Sequence, residues 1–457
     1  MSKANALQRK GRAGRVISGF CFHLYTHFRF DHHFRPFPIP EIQRVPLEQM
    51  LLRIKIMPLF QHKRSVHDVL NNLIEPPAKE SIGQSLKRLR DVGAIDEHET
   101  LTPLGYHLAS LPVDVRIGKL IIFGCVFKCL DSALTIAACL SYRSPFVAPF
   151  NKRDEARRKR QEFALWSSDQ ITDLQAYNAW RTAQRTSYAA GYAFTQENFL
   201  SIKTLQTIVS MKHQFAELLS SIGFITDSIS SRRLDKAGKF GTDGIEVLIN
   251  SEMNANNKNG KLLLSILCSA LYPNVVQILS PKTKFAQTSS GAMAKTTPIE
   301  DLRFRTKNDG FVHLHPSSVI VKAGQPMESA YVGKSLKLAT HSFRFYNFIL
   351  FLVYHEKIKT SRIFVRELSI VPIYSMVLFG GYGVEIELQR GQFVLSMEDG
   401  WIKFVTFSHV IAECLKEMRH ELDRLLQDKI SSPDLDLCSD ARGKLIIDSI
   451  VKLILKE

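Results

Sequence analysis

A multidomain α+β chain is what this sequence predicts, and three observations carry that expectation. Its 457 residues suggest two to four domains at roughly 100–200 residues each. Apolar positions recur at helical spacing through much of residues 40–222. From residue 275 onward, short β-branched and aromatic runs alternate with Gly and Asn turns, the pattern of a small barrel.

Composition narrows the class. Apolar residues make up 45% and charged residues 23%, a globular balance that excludes a disordered or collagen-like chain. The longest apolar run, near residues 345–354, is about half the ~20 residues a membrane-spanning helix needs, and the N-terminus lacks the pattern of a secretory signal. No membrane partner is expected. Seven cysteines are scattered without a CxxC pair, which argues against a disulfide framework or zinc knuckle and for a reducing compartment, cytoplasmic first and nuclear second. The 60 Lys plus Arg against 44 Asp plus Glu leave a net charge of +16, which points to a polyanionic partner, nucleic acid first.

Residues 16–26, with Phe20, Phe22 and Leu24 alternating, read as a strand. The nearby His23, His27, His32 and His33 lack the companions at ligand spacing that a metal needs, and read as loop histidines. Pro40-Glu41-Ile42 opens an amphipathic helix with Leu47, Leu51 and Ile54 on one face. Residues 66–73 and 81–92 give two more helices, and 93–102 reads as a turn between two strands. Three helices and a hairpin make a winged helix.

Residues 113–224 are mostly helical, and Trp166, Tyr177 and Trp180 read as core rather than as base-stacking platforms. The run 152–160 holds six bases against two acids and reads as a solvated helix face, with phosphate contact as the sharper alternative. Residues 227–260 are polar and read as a linker or flexible surface loop. After a helix at 261–271, strands are expected at 275–279, 310–315, 363–371, 374–379, 384–388 and 393–396. A long amphipathic helix over 404–430 would carry Val410, Cys414, Met418, Leu422 and Leu425 on one stripe.

The first fifteen residues hold Lys3, Arg9, Lys10, Arg12 and Arg15 and no acid. In Gln8-Arg9-Lys10-Gly11-Arg12-Ala13-Gly14-Arg15 the glycines allow close backbone approach, and Arg12 and Arg15 share one face of a helical turn. Guanidinium groups held that way suit a phosphoryl group and its developing charge. A basic N-terminal tail would show the same spacing.

This phrase resembles motif VI of superfamily 2 helicases in its DEAH/RHA form, and the resemblance continues along nearly the whole chain. Pro40-Glu41-Ile42-Gln43-Arg44 and Leu101-Thr102-Pro103-Leu104-Gly105 resemble the family's winged helix. Ser144-Pro145-Phe146, Ser168-Asp169 and Asn198-Phe199-Leu200 resemble its ratchet-like helical bundle. Leu271-Tyr272-Pro273-Asn274, His315-Pro316-Ser317-Ser318 and Tyr354-His355-Glu356-Lys357-Ile358-Lys359-Thr360-Ser361 resemble its OB-like barrel domain. The implied organisation is the tail of a second RecA-like α/β domain over 1–38, a winged helix over 39–111 and a helical ratchet bundle over 112–226. A linker over 227–260, an OB-like domain over 261–430 and a tail or helix over 431–457 complete it. Gln170, where the family often has His, and Thr195, where a Cys is common, are departures that would loosen packing. Residues 323–351 fit nothing in the family; Gly333-Lys334-Ser335 ends like a phosphate-binding loop, but Glu328 stands where the first Gly belongs. That stretch reads as a lineage-specific insertion or a retained non-coding stretch.

The resemblance implies an ATP-dependent RNA helicase that moves 3′ to 5′ along RNA. Gln8, Gly11, Arg12 and Arg15 would meet the nucleotide, with Arg12 and Arg15 as arginine fingers to the γ-phosphate. Lys359, Thr360, Ser361, Arg362 and Arg366 would contact the backbone of single-stranded RNA, although an edge strand carrying solubilising charge would look the same. ATP and Mg²⁺ are implied as cofactors of the complete enzyme, with a glycine-rich-patch activator or ribonucleoprotein partners. The sequence holds no Gly-x4-Gly-Lys-Ser/Thr, and Asp96-Glu97-His98 lies in a polar turn after motif VI instead of ending a strand before it. The chain alone is therefore expected to lack the ATP-binding domain, to hold neither cofactor and to hydrolyse no ATP. The alternative is a stand-alone RNA-binding or protein-interaction module without ATPase activity.

Overall fold

The computed structural model describes residues 1–58, 65–225, 229–238, 244–279, 285–288, 291–294, 302–321, 343–344, 350–381, 383–389, 391–397, 400–406, 408–435, 437 and 441–456. It divides into two compact units, Met1–Arg88 and Leu89–Glu457.

In the first unit, α1 (Lys3–Lys10) is capped by Ser2, whose hydroxyl accepts from the Asn5 N–H. α2 (His27–His33) is capped the same way by Thr26. The strand expected over 16–26 does not form; Phe20 and Leu24 are 90% and 98% exposed. Alternation supplies one face for a strand, but pairing makes it a strand, and no described strand of this unit lies alongside. The helix expected from Pro40 is a single 3-10 turn, Glu41–Gln43. Pro46 has no N–H to give an α-helical bond, and α3 (Glu48–Ile56) begins beyond it. α4 (Val66–Asn71) and α5 (Lys79–Val92) follow, and Leu51, Leu52, Val66, Leu70, Ile82 and Leu86 are buried.

The second unit opens with the expected hairpin, reduced to one antiparallel bridge between Ile95 and Leu101. Thr102 then caps α6 (Pro103–Ser110). The helical region contains α7 (Val115–Val126), α8 (Leu130–Ser141), α9 (Arg153–Glu162), α10 (Asp169–Thr186), α11 (Tyr188–Glu197) and α12 (Ile202–Ser221). Tyr177 and Trp180 are buried, as core aromatics should be. The polar stretch read as a linker carries α13 (Ser231–Ala237) and α14 (Ile245–Leu248), and its asparagines have a definite task. α8 has no side-chain cap of its own; Asn254 and Asn257 accept from the N–H groups of Asp131 and Ser132 at 2.9 and 3.2 Å. α15 (Gly260–Leu271) is buried along its length between this region and the barrel.

The strands are β1 (Val275–Leu279), β2 (Phe285–Thr288), β3 (Gly291–Ala294), β4 (Arg303–Thr306), β5 (Gly310–Leu314), β6 (Phe343–Arg344), β7 (Leu350–Lys359) and β8 (Ile363–Val371). After α16 (Ile373–Phe379) come β9 (Glu385–Gln389), β10 (Gln392–Met397), β11 (Ile402–Thr406), α17 (His409–Ser431) and α18 (Ala441–Lys456). β1, β4, β5, β8 and β7 close in that order into a barrel, antiparallel except for the β5–β8 pair. Val276, Val312, Leu352, Val365 and Leu368 fill it. β6, β11, β10 and β9 form a separate four-stranded sheet, and β2 pairs with β3.

Three expectations change here. Residues 374–379 are helical as α16, because Pro372 stands at the N-cap and an apolar run buried all round carries no period to tell helix from strand. The helix expected from 404 starts at His409, after β11. Its buried stripe is Ala412, Leu415, Arg419, Leu422, Leu426 and Ile430, which shares Leu422 with the expected one and leaves Val410 and Cys414 exposed. Arg419 explains the shift: it is buried because it donates to the carbonyls of Val377 and Gly380, at 2.7 and 2.6 Å, at the C-terminal end of α16. The 323–351 stretch, Gly333-Lys334-Ser335 included, lies outside the described residues apart from β6 and the start of β7. Among the described residues no helix is long and apolar enough to cross a membrane.

Candidate nucleotide and nucleic-acid contacts

Gln8 lies on the exposed side of α1, and Gly11, Arg12 and Arg15 follow in the turns that end it. The Gly11 and Arg12 N–H groups donate back to Leu7 and Arg9 at 2.9 and 3.1 Å, so the helical course continues past the last regular turn. All four residues are exposed. Gly11 has an ordinary helical φ of −65°, and an added Cβ would meet nothing nearer than 3.6 Å. The fold of this chain does not itself demand a glycine there, which leaves room for an outside group to approach the backbone.

In the second unit, the turn between β7 and β8 brings Lys359, Thr360, Ser361 and Arg362 together, all exposed. The Thr360 N–H donates to the Arg362 carbonyl at 2.9 Å and fixes the turn. Arg366 does not join them. It stands opposite Glu356 across the β7–β8 pair, with Nε and Nη2 2.7 and 2.5 Å from the same carboxylate oxygen.

β4 and β7 are strands the sequence reading did not identify. In β4, Arg303-Phe304-Arg305-Thr306 alternates exposed and buried, as Phe311-Val312-His313-Leu314 does in the expected strand β5. The outer face of these strands shows Arg303, Arg305, Phe311 and His313 to solvent. The Arg303 guanidinium lies 5.8 Å from the Phe311 ring centre, and His313 lies 5.8 Å from Phe364.

The barrel is fastened to the helices by the start of α10. Asp169 accepts from the backbone N–H groups of Val319 and Leu368 at 2.8 and 2.9 Å. Gln170 donates to the Glu367 carbonyl and accepts from the Ser369 hydroxyl, both at 2.6 Å. The basic run on α9 belongs partly to this seam: Arg157 donates to the Val321 carbonyl at 2.6 Å, and Arg160 to that of Ser317 at 2.7 Å. It is not simply a solvated face. The two departures from the family pattern do not loosen packing either, since Gln170 and Thr195 are both buried and hydrogen-bonded. Burial pushes Glu367 up to about 7, aided by nearby Glu356, and pushes Asp173 up to about 6 against the pull of Arg160. Among the described residues no cluster of His, Cys, Asp or Glu could hold a metal ion.

Four family models match the chain in succession. They are the winged-helix part of the helicase-associated domain over residues 85–113 and its ratchet-like part over 114–173. An oligonucleotide/oligosaccharide-binding fold follows over 263–382, and the C-terminal domain in RNA helicases over 394–456. A Homo sapiens protein named as ATP-dependent RNA helicase DHX57 is 51% identical over 454 residues, which cover 99% of this chain and 31% of that protein. The ATP-dependent DNA/RNA helicase DHX36 of Mus musculus is 36% identical over 457 residues, 99% of this chain and 40% of its own length. The DExH-box ATP-dependent RNA helicase DExH1 of Arabidopsis thaliana is 34% identical over 459 residues, 99% of this chain and 39% of its own length. The chain thus spans between 31% and 40% of the length of these relatives. With the helicase-associated domains, the barrel and the helicase C-terminal domain in this order, the chain belongs, as a C-terminal region, to the DEAH-box RNA helicase family.

Proposed function

We propose that this chain is the RNA-gripping and γ-phosphate-sensing part of an ATP-dependent RNA helicase that moves 3′ to 5′ along single-stranded RNA. Residues 1–38 complete a RecA-like domain, 39–111 form the winged helix, 112–226 the ratchet bundle, 227–260 its connection onward, and 261–430 the barrel domain, with 431–457 as its C-terminal helix. The observation that carries the reading is the exposure of Arg12, in the turn that ends α1, and of Arg15, in the bend that follows. Two guanidinium groups displayed in this way have the charge and the fork geometry for a terminal phosphate.

The residues present fit part of the nucleotide. Gln8, Gly11, Arg12 and Arg15 would hold the γ-phosphate, and Mg²⁺ would arrive with the ATP of the complete enzyme. ATP with its metal supplies the hydrolysable phosphate bond in the complete enzyme, and this chain supplies cationic stabilisation of the charge that develops there. On the RNA side, Lys359, Thr360, Ser361 and Arg362 contact the phosphate backbone, and Arg366 positions the strand that carries them. An activating partner of the glycine-rich-patch kind rests on the family resemblance alone.

A chimera tests the assignment: this chain replaces the matching C-terminal region of the human DHX57 protein. Arg12→Ala and Arg15→Ala are expected to lower RNA-stimulated ATP hydrolysis by at least a hundredfold while RNA affinity stays within about twofold. Unchanged hydrolysis in both variants would remove the finger assignment. Hydrolysis of ATP by the 457-residue chain alone would remove the claim that the phosphate cradle lies elsewhere.

A further inference from the structure

The four-stranded sheet that follows the barrel ends in an open edge. β9 is its last strand, and among the described residues no strand pairs with its outer side. The hairpin decides which groups face outward. Gln389 pairs with Gln392 across a two-residue turn, and the register runs without a bulge to Glu385 and Ser396. A pair flanking a two-residue turn exchanges hydrogen bonds, and bonded and open pairs then alternate along the strands. Gln389, Glu387 and Glu385 therefore bond inward to β10, while Ile386 and Leu388 turn their N–H and C=O groups to the open side. Proteins blunt such edges with lysine, proline or a bulge, and β9 has none of these. Leu388 is 68% exposed, an apolar side chain left beside the free backbone groups.

The charge of this region says what fits the edge. Residues 385–457 hold 14 acids and 10 bases, whereas the rest of the chain holds 30 acids and 50 bases. The excess that draws a polyanion elsewhere is reversed here. On β9, Glu385 and Glu387 share one face of the pleat. Glu385 is exposed, and Glu387 has Lys403 no nearer than 4.0 Å. Ile386 and Leu388 lie on the opposite face, where Phe393, the partner of Leu388, packs on His409 with ring centres 4.9 Å apart. A nucleic-acid strand would be repelled by these carboxylates. A second copy of β9 would set the same carboxylates against each other. An extended peptide with Lys or Arg at alternate positions satisfies both the backbone groups and the acids.

We propose that the open edge of β9 is a strand-addition site for an extended basic segment of a protein partner. The incoming strand pairs with the N–H and C=O groups of Ile386 and Leu388, and its Lys or Arg side chains meet Glu385 and Glu387. Its apolar side chains, on the other face, lie beside Leu388. The edge belongs to the sheet after the barrel and carries none of the residues assigned to RNA.

The test uses the 457-residue chain and a fluorescein-labelled heptapeptide alternating lysine and valine, read by anisotropy. Two further probes are a peptide alternating glutamate and valine, and the lysine peptide with its valine amides N-methylated. The lysine peptide is expected to bind, and N-methylation of the amides that face β9 to weaken it about tenfold. Glu385→Lys together with Glu387→Lys reverses the preference to the glutamate peptide. Leu388→Pro removes one outward N–H, at an edge position where proline is tolerated, and is also expected to cost about tenfold. Unchanged thermal unfolding of Leu388→Pro shows that the fold is kept, and the N-methylated peptide tests the same bonds without altering the protein. Equal binding of the lysine peptide and its N-methylated form would leave charge attraction alone and overturn strand addition. Absence of lysine-peptide binding, or unchanged binding in the double variant, would overturn the basic partner. Self-association of the free chain that Leu388→Pro abolishes would give the edge to a second copy and overturn the proposal.

Discussion

Arg366 stands directly opposite Glu356 on the neighbouring strand and donates to its carboxylate at 2.7 Å, so its charge is met before any phosphate arrives. The sequence motif puts Arg366 and Arg362 in one group; the register separates them. Lys359→Ala and Arg362→Ala are each expected to weaken single-stranded RNA binding several-fold and to lower the salt slope by about 0.7. Arg366→Ala leaves the slope nearly unchanged, whereas Glu356→Ala frees Arg366 and raises affinity. Fluorescence anisotropy at several salt concentrations reads all four; equal slope changes for Arg362→Ala and Arg366→Ala would contradict the ion-pair account.

Asp169 is the acceptor for two backbone N–H groups, Val319 after β5 and Leu368 in β8, and is itself buried. Asp169→Ala leaves both donors without an acceptor and is expected to cost about 2–5 kcal/mol. Asp169→Asn keeps the shape and one acceptor oxygen, and should cost less. Urea unfolding followed by tryptophan fluorescence measures both. Near-identical midpoints for wild type and Asp169→Ala would show that the seam does not depend on this carboxylate.

Much of this architecture is legible in the sequence, for reasons that also explain the failures. The strands at β1, β5, β8 and β10 were readable because β-branched and aromatic residues cluster between Gly or Asn turns. Residues 16–26 have the same composition and no strand forms, since alternation is local and pairing is not. α16 hides in a uniformly apolar run, and Arg419, a charged residue, sits in the buried stripe of α17. Of the candidate site, the turn Lys359–Arg362 was legible from its motif. The ion pair of Arg366 and the face around Phe311 depend on register and on β4, a four-residue strand between polar neighbours.

Glu367 is half-buried with a positive φ of 56°, and its buried Oε2 has no hydrogen-bond partner among the described residues. Burial raises its pKa from 4.5 to about 7. Its stabilising contribution is therefore fully present below pH 4.5 and is lost as pH rises through about 7. Glu367→Gln removes that titration, so Tm should fall less between pH 5 and pH 8 in the variant than in wild type. A parallel fall in both, by differential scanning fluorimetry, would contradict the assignment.

Asn254 caps α8 from a distance of more than a hundred residues in sequence, accepting from the Asp131 N–H at 2.9 Å. Asn254→Ala is expected to cost about 1 kcal/mol, with Asn254→Asp tolerated because an acid also suits a helix N-terminus. Chemical denaturation of the two variants distinguishes a cap from a passive loop contact; equal loss in both would contradict the capping role.

Gripping of single-stranded RNA through the barrel's exposed basic turn is the activity proposed for this chain. Its most direct measurement is the affinity of the 457-residue chain for single-stranded RNA across a salt series, with and without Lys359→Ala and Arg362→Ala together. Binding is expected to weaken linearly on a log–log salt plot, with the slope reduced by about 1.4 in the double variant. Binding that is absent, indifferent to salt, or unchanged in slope by the double variant would contradict it.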